Sequence, residues 1–200
     1  MNQIKTDPAR DHIRVPQNGR VLYTIKNDYM FRAVLQTNSA VLKGLICSLL
    51  HLDPETVSSI TIENPIELGK AIDDKDFYLD SKICLNNRVI INLEMQVLNE
   101  GDWPERSLSY LCRTFDSLTR GSGYLNVKPA IHIGFLDFTL FREHPEFYAT
   151  YRLLNVRDQH LYSDKFQLSV VGLTQIDLAT KEDKKYQIDY WAALFKATTW

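Results

Sequence analysis

Apolar residues recur along this chain in two rhythms, and each change of rhythm marks a new element. "NDYMFRAVLQT", from Asn27, spaces Met30, Phe31, Val34 and Leu35 along one helical face, with Asn27 as N-cap. "SAVLKGLICSLLHL" (39–52) repeats that spacing at Val41, Leu42, Leu45, Ile46, Leu49 and Leu50, with Ser39 at the cap and Pro54 past the end. "SSITIENPIEL" (58–68) reads as a short strand broken by Pro65. "FYLDSKICLNNRVIINLEMQV" (77–97) alternates almost without interruption, as a hairpin does. "PERSLSYLCRTFDSLTRGSGYL" returns to helical spacing and ends near Gly121. "KPAIHIGFLDF" (128–138) is an apolar run of strand length that suits the centre of a sheet. "FYATYRLLN" and "DKFQLSVVGL" follow as strands, and "YQIDYWAALFKAT" as a last helix with Trp191 and Phe195 in the core. Residues 1–22 are polar, with Pro8, Pro16 and Gly19, and read as a mobile lead-in to one domain over 23–200. The order of elements predicts an α/β fold, a mixed β-sheet flanked by helices.

The hairpin carries the unusual chemistry. Its odd positions, Phe77 to Leu85 and Val89 to Val97, are almost wholly apolar, whereas its even positions include Asp80, Lys82, Asn92, Glu94 and Gln96. A turn on Asn86-Asn87 alone would set Asp80 against a core leucine. A turn centred on Asn87 pairs 80 with 94, 82 with 92 and 78 with 96, and puts every polar residue on one face. Burial enforces that second register, so an odd-length loop is expected, with Asn86 or Asn87 at positive φ. Asp80 and Glu94 then face each other with Cβ atoms roughly 5 Å apart, a repulsive pairing. Either a divalent cation such as Mg²⁺ compensates it, since hard oxygen donors suit that ion, or the pair is exposed and softened by Lys82.

Composition narrows the classes. The 200 residues are 44% hydrophobic and 11% aromatic, enough for a real core, and the net charge of −2 confines any basic nucleic-acid surface to a local patch. Cys47, Cys84 and Cys112 fit neither a zinc spacing nor a disulfide framework, which points to a reducing, cytoplasmic setting. The polar start lacks a signal peptide's apolar core, and "AVLKGLICSLLHL" is too short to span a bilayer, so no membrane association is expected. No Ser or Cys has a nucleophile's context, and no Gly-rich phosphate loop occurs. His132 alternates into the buried strand as a core histidine rather than a ligand, and His12, His51, His144 and His160 have no partner spacing.

On a helical wheel, Leu108, Leu111, Cys112, Phe115 and Leu118 form a core stripe opposite Arg106, Tyr110, Arg113, Ser117 and Arg120. The arginine row is either a solvated face or a track for phosphate oxygens.

"DDKDFYLDSKICLNNRVIINLEMQV" followed by "WPERSLSYLCRTFDSLTRGSGYLNVKPAIHIGFLDFTLF" resembles the PD-(D/E)xK nuclease-family transposases, from about Asn27 to the C-terminus. The resemblance implies a restriction-endonuclease-like core. It puts Asp80 and Glu94 at the metal-binding acids, the Met95 carbonyl as a further ligand, and Gln96 where the superfamily has lysine. Lys82, on the same face, either supplies the missing cation or is a solvated strand lysine. Asp28 matches an auxiliary acid of the superfamily, or else serves the helix dipole. Arg106 and Tyr110 fall in the family's R-x-x-x-Y segment, with Arg113 beside them. The "DYWAALFKATTW" ending reads as a truncated helix. The expected activity is Mg²⁺-dependent DNA endonuclease, with Mn²⁺ as substitute, in recombination or mobile-element transposition. DNA is the expected partner, with a homodimer as the open assembly state. The rivals are a nuclease fold kept as a DNA-binding or protein-interaction module, and a self-associating structural protein.

Overall fold

A computed structural model describes residues 23–63, 81–116 and 123–199. The lead-in, Pro65, the hairpin positions up to Asp80, and Ser117, Leu118, Arg120 and Gly121 lie outside the described residues. Two helices come first, α1 (Asp28–Thr37) and α2 (Ser39–Leu49). Asn27 caps α1 as expected, its side chain accepting from Met30 N. The cap of α2 is Asn38 rather than Ser39: its Oδ1 accepts from both Ala40 N and Val41 N, which a serine one residue later could not do for the same turn. Ser39 is instead the first helical residue.

Six strands form one mixed sheet: β1 (Ile60–Ile62), β2 (Ser81–Leu85), β3 (Val89–Gln96), β4 (Ala130–Leu136), β5 (Tyr148–Arg152) and β6 (Phe166–Gly172), in spatial order β1-β2-β3-β4-β6-β5. β3, β4 and β6 run parallel, and the flanking pairs are antiparallel. α3 (Trp103–Phe115) crosses from β3 to β4, as a parallel connection requires. Two short helices close the described chain, α4 (Lys181–Lys185) and α5 (Ile188–Lys196). The spacing of apolar residues does not predict α4, and its start is marked by a capping box: Asp183 N donates to the Thr180 hydroxyl, and Thr180 N donates to the Asp183 carboxylate.

The hairpin register is the one burial demands. Lys82 pairs with Asn92 and Leu85 with Val89, across a three-residue loop in which Asn86 and Asn87 have φ of 50° and 54°. Asn86 also ties the loop down: its Oδ1 accepts from Ser58 N, Ser58 Oγ and Ser59 N, and its Nδ2 donates to Thr56 O. The odd residues of β3, Ile91, Leu93 and Met95, join the main core with Phe31, Leu45 and Phe195 from the helices on one side. The even residues turn to the other side, where α3 lies.

α3 keeps Leu111 and Phe115 of its expected core stripe against the sheet but is rotated partly away from the expected orientation. Its buried residues are Trp103, Ser107 and Leu111, while Leu108 is 49% exposed and Cys112 is exposed too. The helix ends at Phe115, with Asp116 as C-cap, short of the expected Gly121. The rotation has a steric cause. Trp103, at its start, lies over Gly134 of β4, where an added Cβ would come within 2.0 Å of Trp103 Cζ2. The large anchor is thus at position 103, just before the stretch read as apolar-periodic. Turning Trp103 inward carries Arg106 and Tyr110 toward the sheet instead of toward solvent.

Candidate active site

Glu94 sits on a central strand and has no exposed surface. Its neighbour in the parallel ladder is Gly134, whose missing side chain leaves room above the sheet for α3. A carboxylate there cannot be solvated by bulk water, so the protein must supply its partners. Arg106, three residues after Trp103, does so: its Nε donates to Glu94 Oε1 at 2.7 Å, a short charge-assisted bond. The arginine expected on a solvated or phosphate-tracking row thus engages the candidate metal ligand.

The other carboxylate oxygen faces His132, whose Nε2 lies 3.6 Å from Glu94 Oε2. Burial, reinforced by the nearby Arg106 guanidinium, drives the His132 pKa down from 6.5 to about 3. The ring is therefore neutral at physiological pH, and its approach to Glu94 is not an ion pair. Asn92 Nδ2 lies 3.1 Å from His132 Nδ1. With the amide donating there, the ring proton sits on Nε2 and points at the carboxylate. Tyr110 stacks on the His132 ring with an interplanar angle of 6°. His132 is indeed a core histidine, but one at the acid's shoulder. Strand parity held the clue, because Asn92 and His132 are ladder partners two residues before Glu94 and Gly134.

The remaining candidates divide. Gln96 is buried at the end of β3, with its Nε2 donating to Leu98 O at 2.9 Å. The Met95 side chain belongs to the core on the opposite face. Lys82 pairs with Glu63, just past the end of β1, at 2.9 Å. Arg113 is exposed, with its guanidinium 6.0 Å from the Tyr110 ring centre. Asp28, at the start of α1, lies within the field of Arg106. Burial pushes its carboxyl above the ordinary value, and Arg106 and then Arg32 pull it back. Asp80 lies outside the described residues.

Two residues that the sequence reading passed over border this end of the sheet. Lys26 Nζ bonds Asp137 Oδ2 at 2.6 Å, and Asp137 N donates to Gln96 O. That pair ties the approach to α1 to the carboxyl ends of β3 and β4, a common place for ligands in open α/β sheets.

Among the described residues no three His, Cys, Asp or Glu side chains gather closely enough to hold a metal ion. The described oxygen donors, the Glu94 carboxylate and the Met95 carbonyl, are nonetheless of the hard kind that suits Mg²⁺. No helix of the described residues is long and apolar enough to cross a membrane. No curated protein and no solved structure matches the chain. One family model, described as PD-(D/E)XK nuclease family transposase, matches residues 25–199.

Proposed function

The chain belongs to the PD-(D/E)XK nuclease family transposases, and from that premise we propose that it is a Mg²⁺-dependent DNA endonuclease acting in recombination or transposition. The observation that carries the reading is Glu94: a carboxylate with no solvent exposure, on a central strand of a mixed sheet of the restriction-endonuclease-like kind, held by an arginine from the crossover helix. Burying an ion pair costs desolvation that an apolar pair would avoid, so its retention calls for a reason beyond stability.

In this reading Asp80, Glu94 and the Met95 carbonyl hold the metal. Asp80 directly precedes Ser81, and the ladder partner of Ser81, Leu93, directly precedes Glu94. When bound, Mg²⁺ (or Mn²⁺) supplies positive charge to the phosphoryl oxygens and makes a neighbouring water more acidic. Gln96, with its amide nitrogen committed to Leu98 O, offers Oε1 to orient that water. It cannot supply the charge that a lysine would. Asn92 holds the His132 ring 3.6 Å from the second oxygen of Glu94, beyond hydrogen-bonding reach, and the neutral ring adds no competing charge there. Arg106 and Tyr110 are engaged with Glu94 and His132, so in this reading Arg113 at the exposed edge meets the phosphate backbone first, Arg106 reaches it only on leaving Glu94, and Asp28 serves as an auxiliary acid. Lys82, on the same face and paired with Glu63, is the cation that stands in for the missing lysine.

The second reading, a nuclease fold kept for DNA binding or protein interaction, is favoured by Gln96 and by the engagement of Glu94 Oε1 with Arg106. Metal titration separates the two, because a working site gains thermal stability from Mg²⁺ by mass action. The direct test is Asp80→Ala. It should abolish Mg²⁺-dependent cutting of plasmid DNA while leaving the melting temperature without metal unchanged. Cutting at the wild-type rate by this variant overturns the endonuclease assignment.

A further inference from the structure

We propose that Arg106 is a built-in competitor of the divalent metal: without metal its guanidinium neutralises Glu94, and the ion loads only by displacing it. This rests on Glu94 being a metal ligand, as read above.

The argument starts from charge. Glu94 has no access to solvent, so its carboxylate needs a counter-cation in every state of the protein. In the described state that cation is Arg106, whose Nε lies 2.7 Å from Oε1. A divalent ion on the same carboxylate would stand within a few ångströms of the guanidinium, where like charges repel strongly in a poorly solvated site. The Arg106 Nε engages Oε1, and a carboxylate offers about four lone pairs, so it is this repulsion, and not a lack of oxygen lone pairs, that sets the two cations in competition.

The partners also differ in freedom. The side chain of Glu94 is fully enclosed, whereas that of Arg106 keeps 22% of its surface exposed. Arg106 is thus the one that can leave. Two other groups already lie beside it and stay there when it leaves Glu94: the Asp28 carboxyl within its field, and the Tyr110 ring, whose centre is 5.4 Å from its Cζ. Both hold a displaced guanidinium at the mouth of the site, where a phosphate of the substrate strand would arrive. Metal loading and phosphate capture then become one coupled event, and the protein without metal is held closed to ions by its own side chain.

The test uses metal alone, with no DNA and no turnover. Arg106→Gln should bind Mg²⁺ at least tenfold more tightly than wild type, by calorimetry and by the Mg²⁺ concentration needed to raise the melting temperature. Equal or weaker Mg²⁺ binding by this variant overturns the proposal. Should the variant fold poorly, the wild-type protein answers instead. The ¹⁵N-labelled Arg106 Nε–H resonance should report a strong carboxylate bond without metal and lose it at saturating Mg²⁺. Persistence of that bond at saturation overturns the proposal. If wild type binds Mg²⁺, Asp80→Ala does not, and Arg106→Gln binds no more tightly, the metal-ligand reading stands and the competition alone falls. If neither wild type nor Arg106→Gln responds to Mg²⁺ or Mn²⁺, both fall.

Discussion

Gly134→Ala is the smallest change that reaches the candidate site through packing alone. The new methyl would meet Trp103 Cζ2 at 2.0 Å and Cη2 at 2.4 Å, whereas ordinary contact begins near 3.4 Å. The ring must therefore withdraw by about 1.4 Å, the difference between those distances. It is 2% exposed and packed with Leu111, Ala130 and Leu136, so it cannot simply swing away. An apolar cavity of about 270 Å³ beside it, lined by Leu108, Phe141 and Phe166 among others, lets the first turn of α3 shift as a unit. Overpacking of this kind costs about 1–3 kcal/mol. For a chain of this length that lowers the melting temperature by about 2–12 °C. Arg106 lies one turn beyond Trp103, so the same shift stretches its 2.7 Å bond to Glu94 out of hydrogen-bonding reach. Differential scanning calorimetry measures the first effect. A double-mutant cycle with Trp103→Leu isolates the contact, because the smaller side chain makes room for the methyl and the paired cost should fall well below the sum of the single costs. Strict additivity, or a Gly134→Ala melting temperature within a degree of wild type, refutes the packing argument.

Three further outcomes follow from other parts of the structure. Glu94→Gln should lose about 1–3 kcal/mol in chemical denaturation, less than a fully buried pair would because Arg106 keeps some solvent, and adding Arg106→Gln should recover part of that loss. His132 is held neutral with a folded pKa of about 3 against 6.5 unfolded, so the unfolded chain binds one proton more between those values. Stability should therefore fall as the pH drops from about 6.5 toward 3, and His132→Gln should flatten that slope in denaturation curves taken across the range. Asn86→Gly keeps the positive φ but loses the bonds to Thr56, Ser58 and Ser59, and should cost about 1–3 kcal/mol; an unchanged denaturation midpoint would contradict that role for the side chain.

Much of this molecule is legible in the alternation of its residues. The hairpin register followed from the need to keep Asn92, Glu94 and Gln96 off the core face, and the three-residue loop followed from the register. The central position of "KPAIHIGFLDF" followed from its unbroken apolar run. What was hidden concerns partners from distant segments. A helical wheel ranks faces by apolar content; its core stripe holds for Leu111 and Phe115 but fails for Leu108 and Cys112, because the tryptophan at the first position of α3 turns the helix. The same error hid the bond between Arg106 and Glu94. His132 was placed in the right strand, but its neighbour could be found only by aligning β4 with β3 residue by residue. Lys26 and Asp137 are 111 positions apart, and no local pattern joins them.

The most direct measurement is a crystal of the protein soaked in Mn²⁺, with data collected for anomalous scattering. A single strong peak should appear about 2.1 Å from a Glu94 carboxylate oxygen, also touching Asp80, with the Arg106 guanidinium moved off the acid. Saturating Mn²⁺ that leaves no peak there, with Arg106 still bonded to Glu94, contradicts the account at its centre.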